Sequence, residues 1–77
     1  MTRQDIKKRL LVERRRLAEN LKRLRVKANL SQEELADKAK THRTYISLIE
    51  RCASNPSLST LSHIASGLGV KTGDLLR

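Results

Sequence analysis

A chain of 77 residues has room for one domain around one hydrophobic core, and no second sensory or catalytic unit is expected within it. Aromatic residues make up 1% of the chain, Tyr45 alone, so the core must be built from Leu, Ile, Val and Ala, and a row of stacking platforms for single-stranded nucleic acid is not expected. The net charge is +9, and residues 1–30 carry 11 Lys and Arg against 3 acids while residues 31–77 carry 6 against 5, a bias that fits a polyanionic partner or, more simply, a solvated basic surface.

In chain order, Ile6, Leu10, Leu17, Leu21, Leu24 and Ala28 recur at three-, four- and seven-residue steps. This spacing predicts a long basic helix from about Asp5 to Lys27, interrupted on its apolar stripe at Glu13 and Arg14. Asn29 is a candidate left-handed residue to close it. Ser31 and Glu34 form an S-x-x-E capping pattern, so the next helix starts at Ser31 or Gln32. After Thr41, a further run places Ile46 and Ile49 on one helical face, with Arg43, Thr44, Ser47 and Arg51 elsewhere. A fourth helix is predicted from Leu58 to Gly67, with Leu58, Leu61, Ile64, Ala65 and Leu68 on one side and Gly67 and Gly69 ending it. The last seven residues read as one short helical turn that presents Leu75 and Leu76.

Two short helices joined by a tight corner, from Ser31 to Arg51, match the anatomy of a helix-turn-helix, although a plain helical hairpin in a small bundle has the same periodicity. The strings LSQEELA (Leu30 to Ala36), RTYISLIER (Arg43 to Arg51), NPSLSTL (Asn55 to Leu61) and IASGLGV (Ile64 to Val70) go further. Together they resemble the Cro and lambda-repressor type helix-turn-helix (XRE) family over roughly Leu17 to Leu76. The RTYISLIER string looks most like the controller proteins of restriction-modification systems. The resemblance implies an all-α, compact five-helix lambda-repressor-like DNA-binding domain over residues 17–77. Residues 1–16 would be an extension that lengthens the first helix and carries basic charge.

In that family the second motif helix enters the major groove, which makes Arg43, Thr44 and Ser47 candidates to face bases, flanked by His42, Tyr45 and Leu48. Arg43 is the first choice, because its planar fork can bond guanine O6 and N7 together; contact with a phosphate is the alternative. Gln32, at a helix start, together with Arg51, Ser54, Asn55 and Ser57 are candidate phosphate contacts. Tyr45 could anchor the core or touch DNA, with its hydroxyl reachable by solvent. Glu50 is not expected to face DNA, since phosphates would repel it; the resemblance pairs it with Arg25. Leu68, Val70, Leu75 and Leu76 are the candidate homodimer interface, with Leu68 expected inside and Leu75 or Leu76 across the two-fold axis.

Two positions depart from the family pattern. Lys40 stands where the corner commonly has Gly, and Cys52 where Gly ends the second motif helix. If the backbone keeps its left-handed form at Lys40, that residue stores about 1 to 3 kcal/mol of strain. Other chemistry finds no support: His42 and His63 are far apart in sequence, Cys52 has no second cysteine, and the acids are dispersed. No metal, cofactor or small-molecule ligand is expected. No apolar run is long enough to cross a membrane, and the basic first segment lacks the Trp and Phe of a membrane anchor. The sequence reads as a cytoplasmic, non-enzymatic, homodimeric regulator that binds double-stranded operator DNA of pseudo-palindromic form. A phage-type repressor, an antitoxin, and an RNA-binding or protein-bridging module are the alternatives. The basic extension is expected to add phosphate contacts without sequence preference.

Overall fold

The computed structural model describes residues 1–77 as five helices and no strand: α1 (Arg3–Lys27), α2 (Gln32–Ala39), α3 (Arg43–Glu50), α4 (Leu58–Leu68) and α5 (Thr72–Leu76). The first helix begins two residues earlier than the apolar stripe suggests. Thr2 and Asp5 form a capping box, with the Thr2 hydroxyl accepting from the Asp5 amide at 3.1 Å and the Asp5 carboxylate accepting from the Thr2 amide at 3.2 Å. Its far end closes with Asn29 at φ 58°, where the Leu30 amide donates back to the Arg25 carbonyl at 3.1 Å.

The core joins all five helices through Leu17 and Leu21 of α1, Leu35, Ala36 and Ala39 of α2, Ile46 and Ile49 of α3, Leu61, Ile64 and Ala65 of α4, and Leu75 of α5. It is wholly aliphatic, and Leu24, Leu30, Tyr45, Leu68 and Val70 pack around its edge. Each fully buried Leu or Ile contributes roughly 1.5 to 3 kcal/mol of transfer free energy. Burial along α1 starts only at Leu17. The preceding residues extend the helix away from the core, and the 40 Å long axis of the molecule is close to the roughly 38 Å expected for 25 helical residues.

Three expectations about the second half are corrected. Gly67 does not end α4 but lies within it: a Cβ there would stand 3.2 Å from the Ala39 amide nitrogen and 3.3 Å from Leu35 Cδ1, so α4 and α2 pack at a separation that only glycine allows without displacement. The stop is Gly69, at φ 72°. Leu58 is on the correct helical face but one turn beyond the bundle edge, and it remains 73% exposed. Leu75 is fully buried within its own chain and so is unavailable to cross a two-fold axis, whereas Leu76 is 45% exposed. Asn20 holds this end in place by donating from Nδ2 to the carbonyls of Leu75 at 3.0 Å and Arg77 at 2.9 Å.

Candidate nucleic-acid interface

The motif from Ser31 to Arg51 is set by local backbone chemistry before any packing. Ser31 Oγ accepts from the Glu34 amide at 3.0 Å and Glu34 Oε1 accepts from the Ser31 amide at 2.9 Å, which starts α2 at Gln32. The amide of Ser31 and its side chain hold the Glu34 carboxyl below its ordinary range. The corner is left-handed at Lys40, with φ 55° and ψ 45°, and the Thr41 amide closes back to the Ala36 carbonyl at 2.9 Å. The N-cap of α3 is His42 rather than Thr41, and no side chain caps the first amides of the helix.

Burial of Ile46 and Ile49 fixes the rotation of α3 against the core. It leaves Arg43 and Thr44 exposed at the head of the helix beside exposed His42, with Ser47 and Leu48 half-buried along its flank. Tyr45 is half-buried and packs against the core edge, so its ring is an anchor for α3.

The tail of α3 is clamped to α1. Arg25 Nε and a terminal nitrogen donate to the two Glu50 oxygens at 2.7 and 3.0 Å, and the second terminal nitrogen donates to the Leu30 carbonyl at 2.8 Å. The Arg25 side chain is 13% exposed and that of Glu50 is 6% exposed. The hydrogen bond to Glu50 raises the basicity of the guanidinium. Gln32 also enters this cluster, with its side-chain amide donating to Glu50 Oε1 at 3.3 Å, and a second N–H remains for another acceptor.

After α3 the chain turns at Cys52, again left-handed at φ 59°, and its thiol donates to the Arg14 carbonyl at 3.7 Å. Arg51 and Asn55 are exposed and Ser54 is half-buried. Ser57 is already engaged: its hydroxyl caps α4 by accepting from the Thr60 amide at 3.1 Å and donating to the Thr60 hydroxyl at 3.1 Å. Asn55 and Pro56 share a groove of about 250 Å³ with Leu10, Glu13, Arg14, Leu17, Leu61 and Leu76. Leu68 and Val70 lie half-buried against the core near the chain end.

Arg43, Thr44 and Gln32 thus come from two different helices held by one clamp, and Arg51, Ser54 and Asn55 follow on the adjoining loop. Sequence reasoning did not find Thr2 or Asn20, and it read Arg14 as part of the basic extension without its packing beside Cys52. The first was legible, since T-x-x-D follows the same pattern as S-x-x-E. No three or more His, Cys, Asp or Glu side chains gather to hold a metal ion, and no helix is long and apolar enough to cross a membrane.

Comparison with known proteins supplies the family. The helix-turn-helix model HTH_3 matches residues 21–75. Control protein C.BamHI of Bacillus amyloliquefaciens is 52% identical over 50 residues, covering 65% of this chain and 62% of that protein. Control protein C.SmaI of Serratia marcescens is 47% identical over 60 residues, covering 78% of this chain and 71% of that protein. Among solved structures, the restriction-modification controller protein C.AhdI of Aeromonas hydrophila superposes with a TM-score of 0.80 at 30% identity, covering 83% of this chain and 97% of the other. The chain belongs to the HTH_3 helix-turn-helix family and is similar over most of its length to restriction-modification controller proteins.

Proposed function

We propose that this protein is a sequence-specific reader of double-stranded DNA that acts as a homodimer on a two-fold-related operator and regulates transcription, as the controller of a restriction-modification system. The observation that carries this reading is the exposed head of α3. Arg43 and Thr44 face solvent there, while the tail of the same helix is locked to α1 by the Arg25–Glu50 clamp. A short helix presented end-on and held from behind can enter the major groove with its first residues at base edges. Arg43 offers two parallel donors to guanine, worth about 1 to 3 kcal/mol of discrimination. Thr44 and Ser47 are small enough to sit over neighbouring bases, and Gln32, Arg51, Ser54 and Asn55 supply backbone contacts that set register.

One such helix reads only a few base pairs, so two copies bind half-sites about one helical turn apart. Leu76, exposed at the end of α5, is the apolar contact across the two-fold axis, and Leu68 and Val70, half-buried against the core edge, are the further candidates. The similarity to controller proteins supports the regulatory role, in which the protein's own concentration times expression of the companion endonuclease in the cytoplasm.

The test is selection of bound sequences from a random duplex pool at a stated salt concentration, with wild type and Arg43→Ala in parallel. The expected result is an enriched two-fold motif that relaxes at one position per half-site in the variant. No enrichment by wild type would overturn the reading and turn attention to RNA and protein partners.

A further inference from the structure

None of the twelve residues of α1 before Arg15 is a buried core residue, yet they form helix from a capped start. Residues 1–16 hold seven Lys and Arg against two acids. One of those acids, Asp5, is engaged in the capping box at the helix start. The basic side chains surround the helix, but one row among them has a direction. Arg3, Lys7 and Arg14 follow steps of four and seven residues, and a further eleven residues, close to three turns, lead to Arg25 on the same face. That face is the one turned toward α3, because Arg25 bonds Glu50 and the Arg14 carbonyl accepts from Cys52.

The root of this row adjoins the loop that carries the backbone-contact residues. Leu10, Glu13 and Arg14 line one groove with Asn55 and Pro56, and Lys7, Leu10, Leu11 and Arg14 line the neighbouring one. Arg14 Nε is buried there without a hydrogen-bond partner. An unmade bond to a buried donor is costly, and a phosphate oxygen drawing the guanidinium outward would relieve it.

We propose that the N-terminal half of α1 is a second DNA contact, a helical arm whose Arg3, Lys7 and Arg14 rest on the phosphate backbone of the duplex that α3 reads. The arm adds affinity without sequence preference. From Arg14 to Arg3 it reaches about 16 Å beyond the groove, at 1.5 Å per residue, enough to pass several phosphates of one strand. Its partner is duplex DNA rather than a second copy of the arm, since two arms of this composition repel each other. The proposal rests on the duplex-reader assignment above, and the experiment separates the two.

The experiment measures operator and random-duplex affinity against salt concentration by fluorescence anisotropy. It compares wild type, the row variant Arg3→Gln/Lys7→Gln/Arg14→Gln, and a charge-matched control turned away from that face, Lys8→Gln/Arg9→Gln/Arg16→Gln. The expected result is a salt slope shallower by about 0.9 for each lost contact in the row variant, a smaller change in the control, and an unaltered ratio of operator to random-duplex affinity. Equal slopes for the two triple variants would overturn the arm, since only net charge would then be acting. A changed sequence preference in the row variant would overturn the phosphate assignment. Wild type that shows no preference between operator and random duplex would overturn the duplex-reader assignment itself, and the arm with it.

Discussion

Arg25 and Glu50, 25 positions apart in sequence, meet through two parallel hydrogen bonds of 2.7 and 3.0 Å and so tie the tail of the first helix to the tail of the third. With both side chains largely shielded from water, the loss of one leaves the other charge without its partner. Glu50→Ala is expected to cost about 3 kcal/mol by urea denaturation, and Arg25→Ala a similar amount. The double variant should cost well under the sum, because no orphaned charge remains. Additive losses would mean that the pair is solvent-screened and contributes little.

Relief of the helix-turn-helix corner should stabilise the protein. Lys40 holds φ 55°, which costs a side-chain-bearing residue more than glycine. Lys40→Gly is expected to gain about 1 kcal/mol and to raise Tm by roughly 4 to 8 °C. Calorimetry that finds no gain would mean that the side chain is itself stabilising where it stands.

Leu75 and Leu76 are adjacent and should behave differently. Leu75 is fully buried, and Leu75→Ala is expected to destabilise the fold by about 2 to 5 kcal/mol. Leu76 is 45% exposed, and Leu76→Ala should leave chemical stability at high dilution nearly unchanged while weakening self-association in sedimentation equilibrium. Unweakened association would move the interface elsewhere, with exposed Leu58 the next residue to test.

Acid should loosen the cap of α2. Hydrogen bonds from Ser31 hold the Glu34 carboxyl below its ordinary value of 4.5 in the folded state. A group with a depressed folded pKa contributes stability that is complete above its unfolded value and is lost as pH falls through the folded value. Stability should therefore decline as pH drops below about 4.5, and Glu34→Gln should flatten that part of the curve. An unchanged acid limb in the variant would assign the decline to other carboxylates, with Asp5, held low by Thr2, the first to examine.

Most of the architecture was readable because each boundary is written in local chemistry. Ser31 and Glu34 announce the start of α2, Asn29 the close of α1 and Gly69 the stop of α4, and the spacing of Ile46 and Ile49 the inward face of α3. Periodicity does not say where a bundle ends. Leu58 and Leu75 occupy equally plausible apolar positions, yet one is outside the core and the other is at its base. Gly67 resembles a helix stop because its real constraint, the approach of α2, comes from 28 or more residues away in sequence. In the same way Gln32 and Ser57 were legible as polar residues at helix starts, but their engagement with Glu50 and Thr60 depends on where partner atoms arrive.

The chain has one tyrosine, no tryptophan and no phenylalanine, and that tyrosine lies on α3 with its ring half inside the molecule. Its ultraviolet emission is therefore a private signal from a single helix. Unfolding exposes the ring, while a duplex arriving over the head of α3 would change its polarity and quench it through nearby bases. Tyr45 thus serves as a built-in optical label by which melting and docking can be followed in the unmodified protein.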